Sequence, residues 1–231
     1  MKYKHIFFDL DHTLWDFETN SQHTIRELYD SHALESRGIP SYEAFLKSYE
    51  VHNERLWDRY RKGFINRNDL RYKRFSLTFL DFKLADEKLS KAFSEQFLEL
   101  LPTKTALFPY TVEVLDYLSG KGYPMHLITN GFEATQLLKM KHAGIGHYFT
   151  HVITSETAGS LKPYREIFDY AMVKAGTNAQ ESVMIGDALE LDIVGAQTVG
   201  MDQVYFNPQV PALDITPTYT IKCLSELKTI L

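Results

Sequence analysis

Two carboxylates, Asp9 and Asp11, stand one residue apart in the stretch HIFFDLDHT, directly after a short apolar run. Carboxylates this close repel each other unless a cation or a proton lies between them. One of them could attack phosphorus to form an aspartyl phosphate, while the other protonates the leaving alcohol and later deprotonates a water molecule. Asp is also common in turns and helix caps, so the pair alone is a weak signal of catalysis.

Further polar side chains follow other apolar runs along the chain. Thr129 and Asn130 follow MHLI, Lys162 lies in a loop ahead of a helical pattern, and Asp187 and Asp192 follow SVMIG. Hydroxyl, amide and ammonium donors can grip phosphoryl oxygens. Carboxylates without a neighbouring His or Cys favour a hard cation such as Mg²⁺. Together these residue types predict phosphoryl-transfer chemistry, although an acid at position 192 would also complement a helix dipole.

The elements that must position these side chains are short apolar runs alternating with helical patterns. The runs show little polar alternation, which is typical of parallel strands covered on both faces; they span residues 5–8, 125–129, 151–154, 182–185 and 203–206. Helical patterns between them end at Gly144, Gly176 and Gly200, where a left-handed cap is expected. This alternation predicts an α/β fold with a doubly wound, Rossmann-like parallel sheet, whose ligands bind beyond the strand carboxyl ends.

The interval 16–102 breaks this alternation, because it contains helical spacing and no convincing strand. We predict an inserted all-helical cap over 16–102 and a catalytic core formed by 1–15 and 103–231. We expect the cap to close over the strand ends, with Trp15 and Phe17 lining the leaving-group pocket; the alternative for the two rings is packing between cap and core. The basic run within the cap, NRNDLRYKR, is interpreted as a solvated helix face.

The composition is that of an ordinary globular protein, with 44% hydrophobic residues, 24% charged residues and a net charge of -5. This charge argues against binding of a nucleic acid polymer. Cys223 is the only cysteine, which fits a reducing compartment. The sequence shows neither a signal peptide nor a membrane span, so we expect a cytoplasmic protein, a monomer or a weak homodimer, acting on a small-molecule phosphate ester.

Four motifs follow one another along the chain in the order DLDHT, LITN, LKP and GDALELD. In these four motifs and their order, the chain resembles the haloacid dehalogenase superfamily, specifically its phosphatases with a helical cap inserted after the first motif. The resemblance implies Asp9 as nucleophile and Asp11 as general acid/base. It implies Thr129 and Asn130 as phosphate contacts and Lys162 as the residue that neutralises charge.

The resemblance also implies a Mg²⁺ site formed by Asp9, by Asp11 through its backbone carbonyl, and by Asp187, with Asp192 in support. The sequence departs from the usual family pattern at three positions: His12 replaces the commoner glycine, Tyr164 a frequent Asp, and Ala188 a frequent Asn or Ser. The last departure removes one polar group near the metal or phosphate. Glu156 could be a helix cap or part of the site rim, and the sequence leaves both open.

The segments DLDHTLWDF and NRNDLRYKRF, together with the cap length, resemble the pyrimidine 5′-nucleotidase branch of this superfamily. The expected function is therefore a Mg²⁺-dependent phosphomonoester hydrolase acting on nucleoside 5′-monophosphates. A sugar-phosphate phosphatase or a phosphomutase of the same fold remains as an alternative. A 2-haloacid dehalogenase would need neither a metal nor an acid at position 11, and a non-catalytic binding module would have no need to keep Asp9 and Lys162.

Overall fold

The computed structural model describes residues 2–207 and 215–231. The chain forms two compact units, one made of Met1–Phe17 with Thr105–Leu231 and the other of Glu18–Lys104. Within the described ranges, the helices are all too short or too polar to cross a lipid bilayer.

The first unit is built on a six-stranded parallel sheet with the strand order β3-β2-β1-β4-β5-β6. Its strands are β1 His5–Phe8, β2 Met125–Thr129, β3 Phe149–Thr154, β4 Ser182–Gly186, β5 Asp202–Phe206 and β6 Tyr219–Ile221. The order is that of a doubly wound sheet, so the predicted fold class is confirmed. The last strand was not predicted, because its three residues are too short and too polar to form an apolar run.

The register of β1 brings distant parts of the chain to one edge of the sheet. Phe8 lies opposite Leu127 of β2 on one side and Ile185 of β4 on the other. The backbone N–H of Asp9 still donates to the carbonyl of Ile185, at 2.9 Å. Because all three strands run in the same direction, their carboxyl ends bring Asp9, Thr129 and Asp187 to the same edge of the sheet.

Three histidines stack across neighbouring strands of this sheet, one each on β1, β2 and β3. The rings of His5 and His126 lie 5.4 Å apart, and those of His126 and His151 lie 5.3 Å apart. Nδ1 of His5 and Nε2 of His126 are 3.1 Å apart, which fits one hydrogen bond between two neutral rings. His126 is buried, and burial together with its two histidine neighbours lowers its pKa to about 4.

The second unit consists of helices and contains no strand, as all of its residues are described. Its helices are α1 Phe17–Ser31, which starts one residue before the unit, α2 Tyr42–Arg61, α3 Arg67–Asp81 and α4 Glu87–Leu100. The side chains of Ser41, Asn66 and Asp86 each accept a hydrogen bond from the backbone N–H three residues on, which fixes the starts of α2, α3 and α4. Buried aromatic rings fill the interior: Phe45, Tyr49, Phe75, Phe79, Phe93 and Phe97.

The interpretation of the basic run in α3 as a solvated face is wrong for Arg74, which is buried. Its guanidinium lies 4.8 Å from the centre of the Phe97 ring and donates to Oδ1 of Asn53 at 3.2 Å. Position 74 lies on the same side of α3 as the buried Leu70 and Thr78, so helix periodicity carries this charged residue into the interior.

The helices of the first unit cover the sheet. They are α5 Thr111–Gly120, α6 Glu133–His142, α7 Ser155–Ala158, α8 Arg165–Ala175, α9 Gly195–Thr198 and α10 Leu227–Ile230, and a π-helix over Leu189–Val194 leads into α9. Gly176, directly after α8, has a φ of 66°, a left-handed conformation that glycine adopts without a steric cost. Ile167 and Phe168 of α8 pack against the sheet residues Phe7, Ile128, Ile153 and Met184 in one buried cluster.

Candidate active site

Asp9 and Lys162 form the centre of the site. Asp9 directly follows β1 and is buried, and the ammonium of Lys162 lies 2.5 Å from its Oδ1 and 2.6 Å from Oδ1 of Asp192. Asn130 holds the loop that carries Lys162: its Oδ1 accepts from the Lys162 N–H at 2.7 Å, and its Nδ2 donates to the Lys162 carbonyl at 2.9 Å. The amide predicted to contact phosphate therefore also fixes the backbone of the lysine.

The carboxylates of Asp9, Asp187 and Asp192 lie together. Each offers an oxygen within 4.8 Å of an oxygen of the other two. The hydroxyl of Thr13 donates to Asp187 at 3.0 Å, and the N–H of Ala188 donates to Asp192 at the same distance. Three carboxylates and one ammonium leave two negative charges, so an all-oxygen donor set of this charge fits a hard divalent cation such as Mg²⁺.

Burial and the neighbouring charges both shift the protonation equilibria of this cluster. Burial raises the pKa of Asp9 well above its usual range, Lys162 opposes the shift, and Asp192 and Asp187 add to it. Burial and the neighbouring Asp192 raise the pKa of Asp187 to about 7. Burial disfavours the Lys162 ammonium, but the charges of Asp192 and Asp9 outweigh it and raise the lysine pKa. The cluster thus favours uptake of positive charge, as a proton or as a cation.

Asp192 reaches this cluster because the chain after β4 forms a π-helix. A Cβ at Gly186 would lie 2.3 Å from Oδ2 of Asp192, so only glycine allows the carboxylate to approach the strand end this closely. π-turns inside helices are frequent at functional sites. Asp192 is fully buried and paired with Lys162, which gives it a direct structural connection to Asp9.

Asp11 is held by two residues of α6 that sequence reasoning missed. Oδ1 accepts from Lys139 Nζ at 2.6 Å, and Oδ2 accepts from Gln136 Nε2 at 3.0 Å. The same Gln136 nitrogen donates to the hydroxyl of Thr129 at 2.8 Å. The available signal was a Gln and a Lys three residues apart, and therefore on one face, in the helix that follows the LITN motif.

Trp15 and Phe17, the predicted lining of the leaving-group pocket, both lie beside Lys139. Its ammonium is 4.3 Å from the centre of the Trp15 ring and 5.3 Å from that of Phe17. The Trp15 side chain is buried, whereas Phe17 is partly exposed and has the His12 ring 5.1 Å away. His12 adopts a φ of 63°, the left-handed region that explains why glycine is the commoner residue at this position.

The remaining predicted residues lie around α6. Thr129, at the end of β2, is buried, and its hydroxyl accepts from the Gly131 N–H at 3.1 Å. Glu156 accepts from the N–H of Glu133 at 2.7 Å, in the first turn of α6. A carboxylate there satisfies a free backbone donor and complements the helix dipole. Of the two roles left open for Glu156, this contact supports the capping role.

The chain belongs to the haloacid dehalogenase-like hydrolases, because residues 3–200 match the model of that family. It is therefore a hydrolase of this family.

Individual relatives cover nearly all of the chain. The pyrimidine 5′-nucleotidase YjjG of Escherichia coli is 30% identical over 100% of this chain and 99% of its own length. The glyceraldehyde 3-phosphate phosphatase of Pyrococcus abyssi is 32% identical over 88% of this chain and 81% of its own length. Among solved structures, the HAD-hydrolase YfnB of Bacillus subtilis, bound to magnesium, has a TM-score of 0.88 and 26% identity, with 100% of this chain and 99% of that chain covered.

Proposed function

We propose that the protein is a Mg²⁺-dependent phosphomonoester hydrolase that acts through an aspartyl phosphate on Asp9. The observation that carries this proposal is the buried group of three carboxylates around Lys162, with two negative charges in excess. Such a group suits a divalent cation, and the bound cation can in turn hold a phosphoryl group. A dehalogenase attacking carbon would need neither the excess charge nor Asp11.

The steps follow from the positions of the side chains. Asp9 attacks phosphorus, the ester bond breaks, and the leaving oxygen takes a proton from Asp11. A water molecule then gives its proton to Asp11 and attacks phosphorus, which frees Asp9 and releases inorganic phosphate. Lys162 places positive charge beside the reacting phosphoryl oxygens, and Thr129 and Asn130 orient them.

The proposed metal ligands are Asp9, the Asp11 carbonyl and Asp187, with Asp192 in support. Bound there, Mg²⁺ would neutralise charge on the phosphoryl oxygens. The magnesium-bound structure of the relative YfnB supports the choice of metal. The protein's own contribution is to keep the carboxylates together before the substrate arrives: burial and the Lys162 ammonium fix Asp9 and Asp192 in place.

For the substrate we propose nucleoside 5′-monophosphates, on the support of the full-length similarity to a pyrimidine 5′-nucleotidase. Phe17, partly exposed beside the site, is the ring proposed to contact a base. Sugar phosphates are the second candidate, supported by the similarity to a glyceraldehyde 3-phosphate phosphatase.

The test is a set of initial rates of phosphate release from nucleoside monophosphates, sugar phosphates and 4-nitrophenyl phosphate, with Mg²⁺ and with excess chelator. We expect release only with Mg²⁺ and the highest kcat/KM for pyrimidine nucleotides. Without the cation, the buried carboxylates repel each other and the substrate. Full activity in chelator would contradict the proposal, and halide release from a 2-haloacid would then identify a dehalogenase. Higher kcat/KM for sugar phosphates would favour the second candidate.

A further inference from the structure

Both carboxylate oxygens of Asp11 are occupied by side chains of α6. Lys139 donates to one of them at 2.6 Å, and Gln136 donates to the other at 3.0 Å. Both donors are buried, whereas the Asp11 side chain itself is 24% exposed. An aspartate with an exposed side chain would sample several rotamers, so these two contacts select one of them.

Lys139 is itself held in place by aromatic rings. Its ammonium lies 4.3 Å from the centre of the Trp15 ring and 5.3 Å from that of Phe17. Both rings follow Asp11 within six residues, so the segment that carries Asp11 also carries the rings that hold its partner. A cation over aromatic faces is attracted to them, and that attraction restricts the long lysine side chain.

Gln136 connects Asp11 to the predicted phosphate contact Thr129. The Thr129 hydroxyl oxygen accepts from Gln136 Nε2 at 2.8 Å and from the Gly131 N–H at 3.1 Å. A hydroxyl has two acceptor lone pairs and one donor proton. With both lone pairs engaged, the Thr129 proton is left to donate, which is the role that a phosphoryl oxygen requires.

We propose that Lys139 and Gln136 are positioning residues: they fix the general acid/base Asp11 in its working rotamer, and Gln136 also orients the Thr129 hydroxyl as a donor to phosphate. The inference rests on the proposed phosphomonoesterase function and adds to it. Each of the two residues acts through another side chain, and this indirect action gives a distinctive kinetic signature.

The first experiment replaces Lys139 by Met, which keeps the length and the contact with Trp15 but removes the charge and the donor. We measure kcat/KM for a series of aryl and alkyl phosphates. Misplacing the acid should cost about tenfold or more on alkyl esters and less than about threefold on 4-nitrophenyl phosphate, whose leaving group needs no proton. Lys141→Met, the same change at an exposed site of α6, should leave all rates unchanged.

The second experiment places Lys139→Met in an Asp11→Asn background. A residue that works only through Asp11 should have no further effect there, so the double variant should match Asp11→Asn alone. Losses that multiply, or a Lys139→Met loss that is equal for all leaving groups, overturn the proposal. A wild-type protein that releases phosphate from no ester overturns the proposed function instead, so the two failures are distinct.

Gln136→Leu tests the connection to Thr129. It also replaces Lys139→Met as the test of Asp11 positioning if that variant does not fold. It should weaken inhibition by inorganic phosphate about threefold or more, because the Thr129 proton can then turn away from the phosphate. It should also steepen the dependence of kcat/KM on the leaving group, because Asp11 loses one donor. Unchanged phosphate inhibition together with an unchanged leaving-group dependence contradicts both parts of the assignment.

Discussion

At the scale of single residues, the site is a buried cluster of charged side chains with an excess of negative charge. One lysine faces two carboxylates, and a third carboxylate lies within 4.8 Å. Buried charges of the same sign destabilise one another unless they are compensated, so the arrangement favours uptake of a divalent cation, which can then hold a phosphoryl group. We expect the proposed role of Asp9 as nucleophile to depend on this environment as well as on its residue type.

Asp9→Asn should abolish the reaction, because an amide cannot form the acyl phosphate. After an acid quench with phosphate-labelled substrate, the wild-type protein should carry label and the variant should carry none. Label on the variant would assign the nucleophile to another residue.

Asp11→Asn should still permit attack on phosphorus while lacking the proton donor. Rates on poor leaving groups should therefore fall by roughly 10² to 10⁴, and rates on 4-nitrophenyl phosphate should fall far less. Steady-state kinetics over a leaving-group series measures this difference. A uniform loss would show that Asp11 does not act as the acid.

At the scale of elements, the strand ends explain which site residues were predictable. Asp9, Thr129 and Asp187 each follow an apolar run, and parallel strands bring such positions together whatever the sequence between them. Lys139 and Gln136 could not be found in this way, because the reach of a helix side chain depends on how α6 packs. The three residues of β6 gave no periodic signal. The basic run predicts a solvated face, but helix periodicity places Arg74 with Leu70 and Thr78 in the interior.

Gly186→Ala tests the close approach of the π-helix to β4. The new methyl group would meet the Asp192 carboxylate at 2.3 Å, so either the π-helix or the strand must move. We expect a loss of about 1–3 kcal/mol in the free energy of unfolding, together with a large loss of activity as Asp192 leaves Lys162. Gly146→Ala is the matched control, because its nearest contact would be an ordinary 3.7 Å. Urea denaturation of both variants checks the difference.

The stacked histidines predict a pH dependence of sheet stability. An unfolded histidine takes up a proton near pH 6.5, whereas burial and the two neighbouring histidines lower the pKa of His126 to about 4. The stabilisation from a neutral His126 is therefore present above pH 6.5 and is lost as the pH falls towards 4. The full effect is about 3 kcal/mol at about 1.4 kcal/mol per pKa unit.

The measurement is the difference in unfolding free energy between the wild-type protein and His126→Leu from pH 7 to 4. Subtraction is needed because the raised pKa of Asp187 shifts stability in the opposite direction over this range when no cation is bound. We expect the wild-type advantage to shrink as the pH falls. Two parallel curves would show that His126 is not the group that titrates.

At the scale of the whole molecule, the two units differ in how far apart along the chain their contacting residues lie. The helical unit Glu18–Lys104 is one continuous segment. The other unit is interrupted by this segment. Along the chain, the entire helical segment therefore lies between β1 and the other strands of its sheet. In the sequence, the alternation of strand and helix breaks over residues 16–102, and the predicted insertion rests on that break.

The central place of β1 has a kinetic consequence. Ile6 pairs with Met125 on one side and with Val183 on the other, so β1 has no neighbour in the sheet until β2, which follows the whole helical unit, has been synthesised. Contacts at such separation form late, because a long loop must close first. We expect amide protons of α2 and α3 to gain protection from exchange before those of β1 during refolding of the full chain, as pulse-labelling mass spectrometry can measure. Until then, an apolar strand remains unpaired, and chaperone dependence during synthesis should centre on residues 5–8.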